Sequence, residues 1–166
     1  MNLDEGKQRF IQAWGSFGSK WGINRTMAQV HALLLISPMS LSADNIMDEL
    51  DISRGNANMN LRALMDWGLV MKEYKPGDRK EYFYAEKDIW RVAIQIIGQR
   101  KKRELEPIRE ILESLMQVEP ADAETAAFKK TVADISDLSA AADKMLDKIT
   151  KSDRNWIMTS FIKMLN

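Results

Sequence analysis

The chain of 166 residues carries 24 Lys or Arg, 24 Asp or Glu, one His and no Cys, so its formal net charge is zero. This composition excludes structural disulfides and thiolate metal sites, and it offers no overall basic charge as a sign of nucleic-acid binding. The longest apolar run, Ala32 to Ile36, is far shorter than the ~20 residues of a membrane span, so we expect a cytoplasmic protein without membrane contact. We also expect no cofactor, because one His without Cys does not favour a transition-metal site and no nucleotide-binding motif is present.

An aromatic stripe marks the first predicted helix, Leu3 to Trp21. Phe10, Trp14, Phe17 and Trp21 follow one another at helical spacing and share one face. Large aromatic side chains in this arrangement usually pack against the body of the protein or against a second subunit. The alternative is that Trp14, Phe17 and Trp21 form an effector site, because aromatic rings attract quaternary ammonium groups by roughly 0.5 to 2 kcal/mol per contact.

A second helix is predicted from Thr26 to Ser37, with Asn24 or Thr26 as its N-cap and Pro38 just beyond its end. This helix contains His31, the only histidine of the chain, beside an apolar run. A lone His in such a setting is typical of a packed structural residue. We therefore assign it no role as a ligand.

The stretch from Leu41 to Ala85 predicts a helix, a turn, a second helix and a two-stranded hairpin. Ser42 and Ser53 are suited to cap the two helices, and Asp51 begins the turn between them. Each helix has an apolar stripe at helical spacing: Ile46, Met47 and Leu50 in the first, and Ala57, Leu61 and Leu64 in the second.

The opposite side of the second helix is unusually polar. Asn is a poor helix former, so local propensity does not account for three Asn here. Asn amides and Arg guanidinium groups match the hydrogen-bonding edges of bases in the major groove. A solvated polar face is the alternative to a DNA contact. The predicted DNA-binding residues of this helix are Ser53, Arg54, Asn56, Asn58, Met59, Asn60 and Arg62.

The hairpin that follows has a basic tip. Leu69 to Tyr74 and Glu81 to Ala85 read as strands, and a turn with Pro, Gly and Asp separates them. Its cations Lys75, Arg79 and Lys80 are predicted to contact DNA phosphates. From Ser53 to Lys80 there are six Lys or Arg and three Asp or Glu, so this segment has a net charge of +3 in a neutral chain.

These residues carry a resemblance to a known family. The pattern Ser53-Arg54-Gly55, Leu61, Leu64, Trp67-Gly68-Leu69-Val70 and Gly77-Asp78-Arg79-Lys80 resembles the MarR superfamily of winged-helix regulators, and Gly77 to Trp90 looks most like its GbsR-type branch. The resemblance implies a bacterial transcriptional regulator, usually a repressor. Several members of that branch are associated with genes for glycine betaine, which makes betaine or choline a candidate effector.

Helices are predicted for most of the remaining chain. Glu86 to Val118 reads as one long helix in which Pro107 causes a kink or a break near Leu105. A turn over Glu119 to Asp122 follows, and then two amphipathic helices, Ala123 to Thr150 and Ser152 to Leu165. The N-terminal and C-terminal helices together hold more apolar surface than a small winged helix covers, which predicts a symmetric homodimer built from them.

The sequence thus predicts a mainly α fold, a winged helix-turn-helix with a small β-hairpin wing and helical dimerisation extensions at both ends. The predicted divisions are 1–25 for the N-terminal helix, 26–90 for the DNA-binding domain and 91–166 for the helical dimerisation region. Its expected partners are double-stranded DNA and a second copy of itself. No motif of a common enzyme class is present, and the remaining alternative is a winged-helix adaptor that binds protein.

Overall fold

The computed structural model of the protein describes residues 1–20, 22–119 and 121–152. These residues form two compact units, Met1–Val92 and the described residues from Ala93 onward. The helices are α1 (Leu3–Lys20), α2 (Arg25–Ile36), α3 (Ala43–Leu50), α4 (Arg54–Asp66), α5 (Ile89–Arg100), α6 (Glu106–Leu115) and α7 (Ala123–Lys151). The strands are β1 (Leu41–Ser42), β2 (Val70–Tyr74) and β3 (Glu81–Ala85), and a π-helical segment spans Lys101–Leu105.

Both predicted N-caps of the helix-turn-helix are confirmed. The Ser42 hydroxyl accepts a hydrogen bond from the Asn45 backbone N–H at 3.2 Å, while the Asn45 side chain accepts one from the Ser42 backbone N–H at 3.1 Å. The Ser53 hydroxyl accepts from the Asn56 N–H at 3.3 Å in the same way. Asp51, between the helices, is left-handed with φ of 51°. These local contacts stop α3 and start α4 within a few residues.

The hairpin belongs to an antiparallel sheet in the order β1-β3-β2. Strands β2 and β3 pair from Val70 with Ala85 to Tyr74 with Glu81. Strand β1 adds Leu41 opposite Phe83 and Ser42 opposite Tyr82, and at two residues it is too short to show an alternating pattern in the sequence. The predicted fold class, mainly α with a small β wing, is confirmed as a winged helix.

The core of the first unit lies where α2, α3 and α4 meet the inner face of the sheet. Its most deeply buried large side chains are Leu34, Ile46, Leu61, Leu64, Val30 and Val92. Removing apolar surface from water contributes about 25 cal/mol per Å2, so these contacts hold the helix-turn-helix together. The predicted stripe of α4 is confirmed in full, whereas Met47 and Leu50 of α3 are only half-buried.

Helix α1 packs on α2 through a face that differs from the aromatic stripe. Its buried residues are Ile11, Gly15 and Gly18, and a Cβ built at Gly18 would lie 2.6 Å from the Cβ of Ala28. The two backbones therefore approach too closely for a side chain at that position. Phe17 is 50% exposed, so packing of the stripe against the body is only partial, and its packing against a second subunit, the other predicted possibility, stays a prediction. Trp21 lies outside the described residues.

The chain after the wing is divided by a change of helical register. Asp88 accepts hydrogen bonds from the N–H groups of the first residues of α5, so this helix begins later than predicted. The π-helical segment ends at Leu105, where the Glu106 N–H donates to the Lys101 carbonyl five residues earlier. Pro107 lacks a backbone N–H, and the register shift lets helical structure continue through it. The boundary predicted near Leu105 is confirmed as a π-helical segment.

In the second unit, α6 and α7 pack together. Leu112 and Val132 are buried there, and Asp143 of α7 forms ion pairs with Lys101 at 3.0 Å and Arg109 at 2.9 Å. The Asp122 side chain caps α7 by accepting from the Thr125 N–H at 2.8 Å. The helix predicted from Ser152 to Leu165 lies outside the described residues after its first one. None of the described helices has the length and apolar character needed to cross a membrane.

His31 is a core residue of the first unit. Its side chain is 2% exposed, its ring lies 6.1 Å from that of Trp14, and its Nε2 has no hydrogen-bond partner in the part of the chain that the structure describes. Burial, with a smaller contribution from the positive charge of Lys87, lowers the pKa of His31 to about 4. The prediction of a packed structural histidine agrees with this environment.

The pKa of His31 makes stability depend on pH. Between about pH 4 and the unfolded pKa of about 6.5, the unfolded chain binds more protons at this site, so stability falls as the pH is lowered. From pH 7 to about pH 4.5, wild type should lose roughly 2 to 3 kcal/mol more in the free energy of urea unfolding than His31→Leu. A His31 NMR signal in the folded protein that titrates near pH 6.5 would contradict this account.

Candidate nucleic-acid interface

The outer face of α4 is fixed by the residues that the helix buries. Because its buried stripe faces the core, Arg54, Asn58, Met59 and Arg62 are exposed, and Asn56 is half-buried. Met59 is 56% exposed although its side chain is apolar. The structure therefore brings five of the seven residues predicted on this helix to one solvent-facing side, with Ser53 at its N-cap.

Asn60 does not reach that side. Its side chain is 2% exposed, and its Nδ2 donates to the backbone carbonyl of Asn56 at 2.9 Å and to the Asn56 Oδ1 at 2.7 Å. Asn60 is one of the DNA-binding residues predicted from the sequence, although its helical position lies at the boundary between the polar and apolar faces. In the structure its amide instead orients the amide of Asn56.

One carboxylate connects the start of α4 with the wing. Asp44, in the first turn of α3, forms ion pairs with Arg54 at 2.7 Å and with Lys80 at 3.3 Å. The Lys80 hydrogen bond and the Arg54 charge lower the pKa of Asp44, so the group is ionised at neutral pH. Sequence reasoning missed Asp44 because its partners lie on two other elements, and its place in the helical turn indicates only a favourable dipole contact.

One face of the wing carries a polar cluster at the end of the two strands that is next to the turn. Lys72 donates to the Glu81 Oε1 at 2.9 Å, and the Tyr74 hydroxyl donates to the same oxygen at 3.1 Å. Tyr74 and Glu81 are cross-strand partners, so their side chains lie on the same face. The Lys72 hydrogen bond is the largest of the influences that lower the pKa of Glu81, which also include the charge of Arg62 on α4.

The wing tip is an ordered turn. Gly77 has φ of 80°, and Asp78 accepts hydrogen bonds from the Tyr82 hydroxyl at 2.7 Å and the Lys80 backbone N–H at 2.9 Å. Lys75 lies with its Nζ 3.9 Å from the centre of the Tyr82 ring, in a cation–π contact. The Arg79 side chain is exposed and forms no ion pair with any residue that the structure describes. The turn thus holds Lys75 and Lys80 and leaves Arg79 accessible.

Two of the predicted effector residues, Trp14 and Phe17, do not line the cleft that the structure shows in the first unit. Trp14 stacks on Phe10 with ring centres 5.5 Å apart, and Phe17 is half-exposed on the same helix. A cleft of about 600 Å3 lies elsewhere in the first unit, on the face of the hairpin that carries Met71 and Tyr84. Neither Trp14 nor Phe17 lines that cleft.

Comparison with known proteins supports the fold. No protein-family model and no curated protein matches the sequence. A crystal structure of a transcriptional regulator is similar to this chain with a TM-score of 0.58 and 17% sequence identity, over 86% of this chain and 99% of the other. At that identity the likeness concerns the fold. Membership of the MarR superfamily and of its GbsR-type branch stays a prediction from the sequence.

Proposed function

We propose that the protein is a sequence-specific DNA-binding transcriptional regulator that reads bases with α4 and contacts the DNA backbone with its wing. The observation that carries this proposal is the solvent-facing side of α4, where Arg54, Asn56, Asn58 and Arg62 lie in the same compact unit as a basic hairpin tip. A winged helix with this surface presents base-reading and phosphate-binding groups together. The structural likeness to a transcriptional regulator is consistent with this role.

The side chains of α4 suit direct reading of the major groove. Arg pairs with guanine and Asn with adenine through two hydrogen bonds, and each good pair discriminates between bases by roughly 1 to 3 kcal/mol. The exposed Met59 offers an apolar contact for a thymine methyl group. Asn60 contributes by orienting Asn56, since its own amide is buried.

The wing supplies contacts that do not depend on sequence. Arg79 is an exposed cation of the tip that forms no ion pair with the described residues, and Lys75 and Lys80 lie beside it. Contacts of Lys and Arg with phosphates position a protein on the duplex and make its affinity depend on salt. A winged-helix adaptor that binds protein would have no such salt-dependent affinity for DNA.

We further propose that the regulator is a homodimer and, from its resemblance to the GbsR-type branch, a repressor. Helices α6 and α7 expose large apolar side chains, which a second subunit would cover. Two recognition helices related by two-fold symmetry would contact half-sites about 34 Å apart in an inverted repeat. The exposed apolar side chains of these helices are Ile108, Ile111, Phe128, Ile135, Leu138 and Met145, at 41% to 71% exposure.

A small-molecule effector such as betaine or choline is a further part of this proposal. Trp14 and Phe17 provide aromatic surface for a quaternary ammonium group. An effector alters DNA affinity only if it binds the two states of the regulator differently. Calorimetric titration with both compounds tests the idea, and the absence of heat at millimolar ligand would count against it.

Because we assign base contacts to α4 and phosphate contacts to the wing, substitutions in the two elements should change DNA binding differently. On a duplex enriched from random sequences, Asn56→Ala and Arg54→Ala should lose roughly 1 to 3 kcal/mol and discriminate less between that duplex and a scrambled one. Arg79→Ala should weaken binding to both duplexes about equally and reduce the slope of log affinity against log salt by about 1. Fluorescence anisotropy measures all three; a changed base preference in Arg79→Ala would refute this assignment.

The dimer proposal predicts a mass in solution of twice the 19.0 kDa chain. Light scattering at micromolar concentration should give that value for the wild type. Leu138→Glu places a charge on the exposed apolar side of α7 and should shift the mass towards the monomer, because an unpaired charge is costly to bury. Lys144→Glu, at another exposed position of α7, serves as the control. A monomeric wild type would disprove the dimer.

A further inference from the structure

The exposed ion pairs of Asp44 connect a cation of α4 with a cation of the wing, and the proposed function gives both elements a role in DNA binding. Arg54 begins the recognition helix and Lys80 ends the wing turn, and the two oxygens of one carboxylate bind both. The three side chains are 65%, 58% and 40% exposed for Arg54, Lys80 and Asp44. Because the pairs are open to solvent, a DNA phosphate can compete with Asp44 for either cation.

Such pairs have little effect on folding. Exposed ion pairs contribute little to stability, since solvent and salt screen them and their side chains lose conformational freedom. Their effect on a charged ligand is larger. A carboxylate on a surface that receives a polyanion repels it, and this one also occupies two cations that would otherwise bind DNA.

We propose that Asp44 is a specificity-determining residue, which occupies Arg54 and Lys80 as a phosphate would and thereby suppresses binding to non-specific DNA. This inference rests on the proposed function. On non-specific duplex Arg54 finds no matching base, so phosphate contacts alone have to displace Asp44. On the cognate site, base contacts from α4 add to the phosphate contacts and offset the loss of the two ion pairs. Asp44 therefore weakens non-specific binding more than specific binding.

The test compares two substitutions that change net charge equally. Asp44→Asn removes the carboxylate that binds Arg54 and Lys80, whereas Asp48→Asn removes an exposed carboxylate one turn further along the same helix. Affinity is measured by fluorescence anisotropy for an enriched duplex and for a scrambled duplex of the same length, over a series of salt concentrations. Thermal melting checks that each variant is folded, and Asp44→Ser replaces Asp44→Asn if the latter is not.

Asp44→Asn should bind the scrambled duplex about 5 to 10 times more tightly than wild type at about 100 mM salt, with a salt slope steeper by about 1 to 2. Its ratio of affinities for the enriched and scrambled duplexes should fall several-fold. Asp48→Asn should change either affinity by less than about two-fold, because Asp48 is exposed and forms no ion pair with Arg54, Lys80 or another cation that the structure describes.

Two results would overturn the inference. If wild type binds the enriched duplex and Asp44→Asn behaves like Asp48→Asn, or binds the scrambled duplex more weakly, Asp44 does not set specificity while the proposed function stands. If neither wild type nor any of the variants binds duplex DNA at any salt concentration, the proposed function fails and the role of Asp44 fails with it.

Discussion

The burial of one stripe of α4 in the core is the constraint on which the candidate site depends. Ala57, Leu61 and Leu64 are at most 1% exposed, and a helix held along this line has only one side left for solvent. The polar residues of that side are therefore presented in a fixed order, and their angular positions follow from those of the apolar ones. The neighbouring Asn60 adds a second constraint, because its buried amide orients that of Asn56.

Charge on the wing and the recognition helix is organised by carboxylates. Asp44 holds Arg54 and Lys80, Glu81 holds Lys72, and Asp78 orders the tip through Tyr82 and the backbone. The local excess of basic residues is consequently smaller in effect than the sequence count of +3 implies. The interface that we propose thus combines the ion-paired cations Arg54, Lys72 and Lys80 with the exposed Arg62 and Arg79, and acidic side chains belong to it.

The helix-turn-helix and the hairpin could be predicted because their signals are local. Serine caps, apolar spacing and the Pro-Gly-Asp turn each act within a few residues, and they located α3, α4 and both long strands. Features that depend on distant contacts could not be predicted. The face by which α1 packs requires the close approach of Gly18 to α2, and the two partners of Asp44 come from different elements. Pro107 signalled a break, but a π-helical register shift has no simple signature in the sequence.

The central claim is that α4 reads DNA sequence, and selection of bound duplexes from a random DNA pool tests it most directly. At about 100 to 150 mM salt, non-specific phosphate binding is weakened, so enrichment reports base contacts. We expect enrichment of an inverted repeat with half-sites about one helical turn apart, and loss of that preference in Asn56→Ala. A wild-type protein that enriches no sequence, with or without betaine and choline, would contradict it.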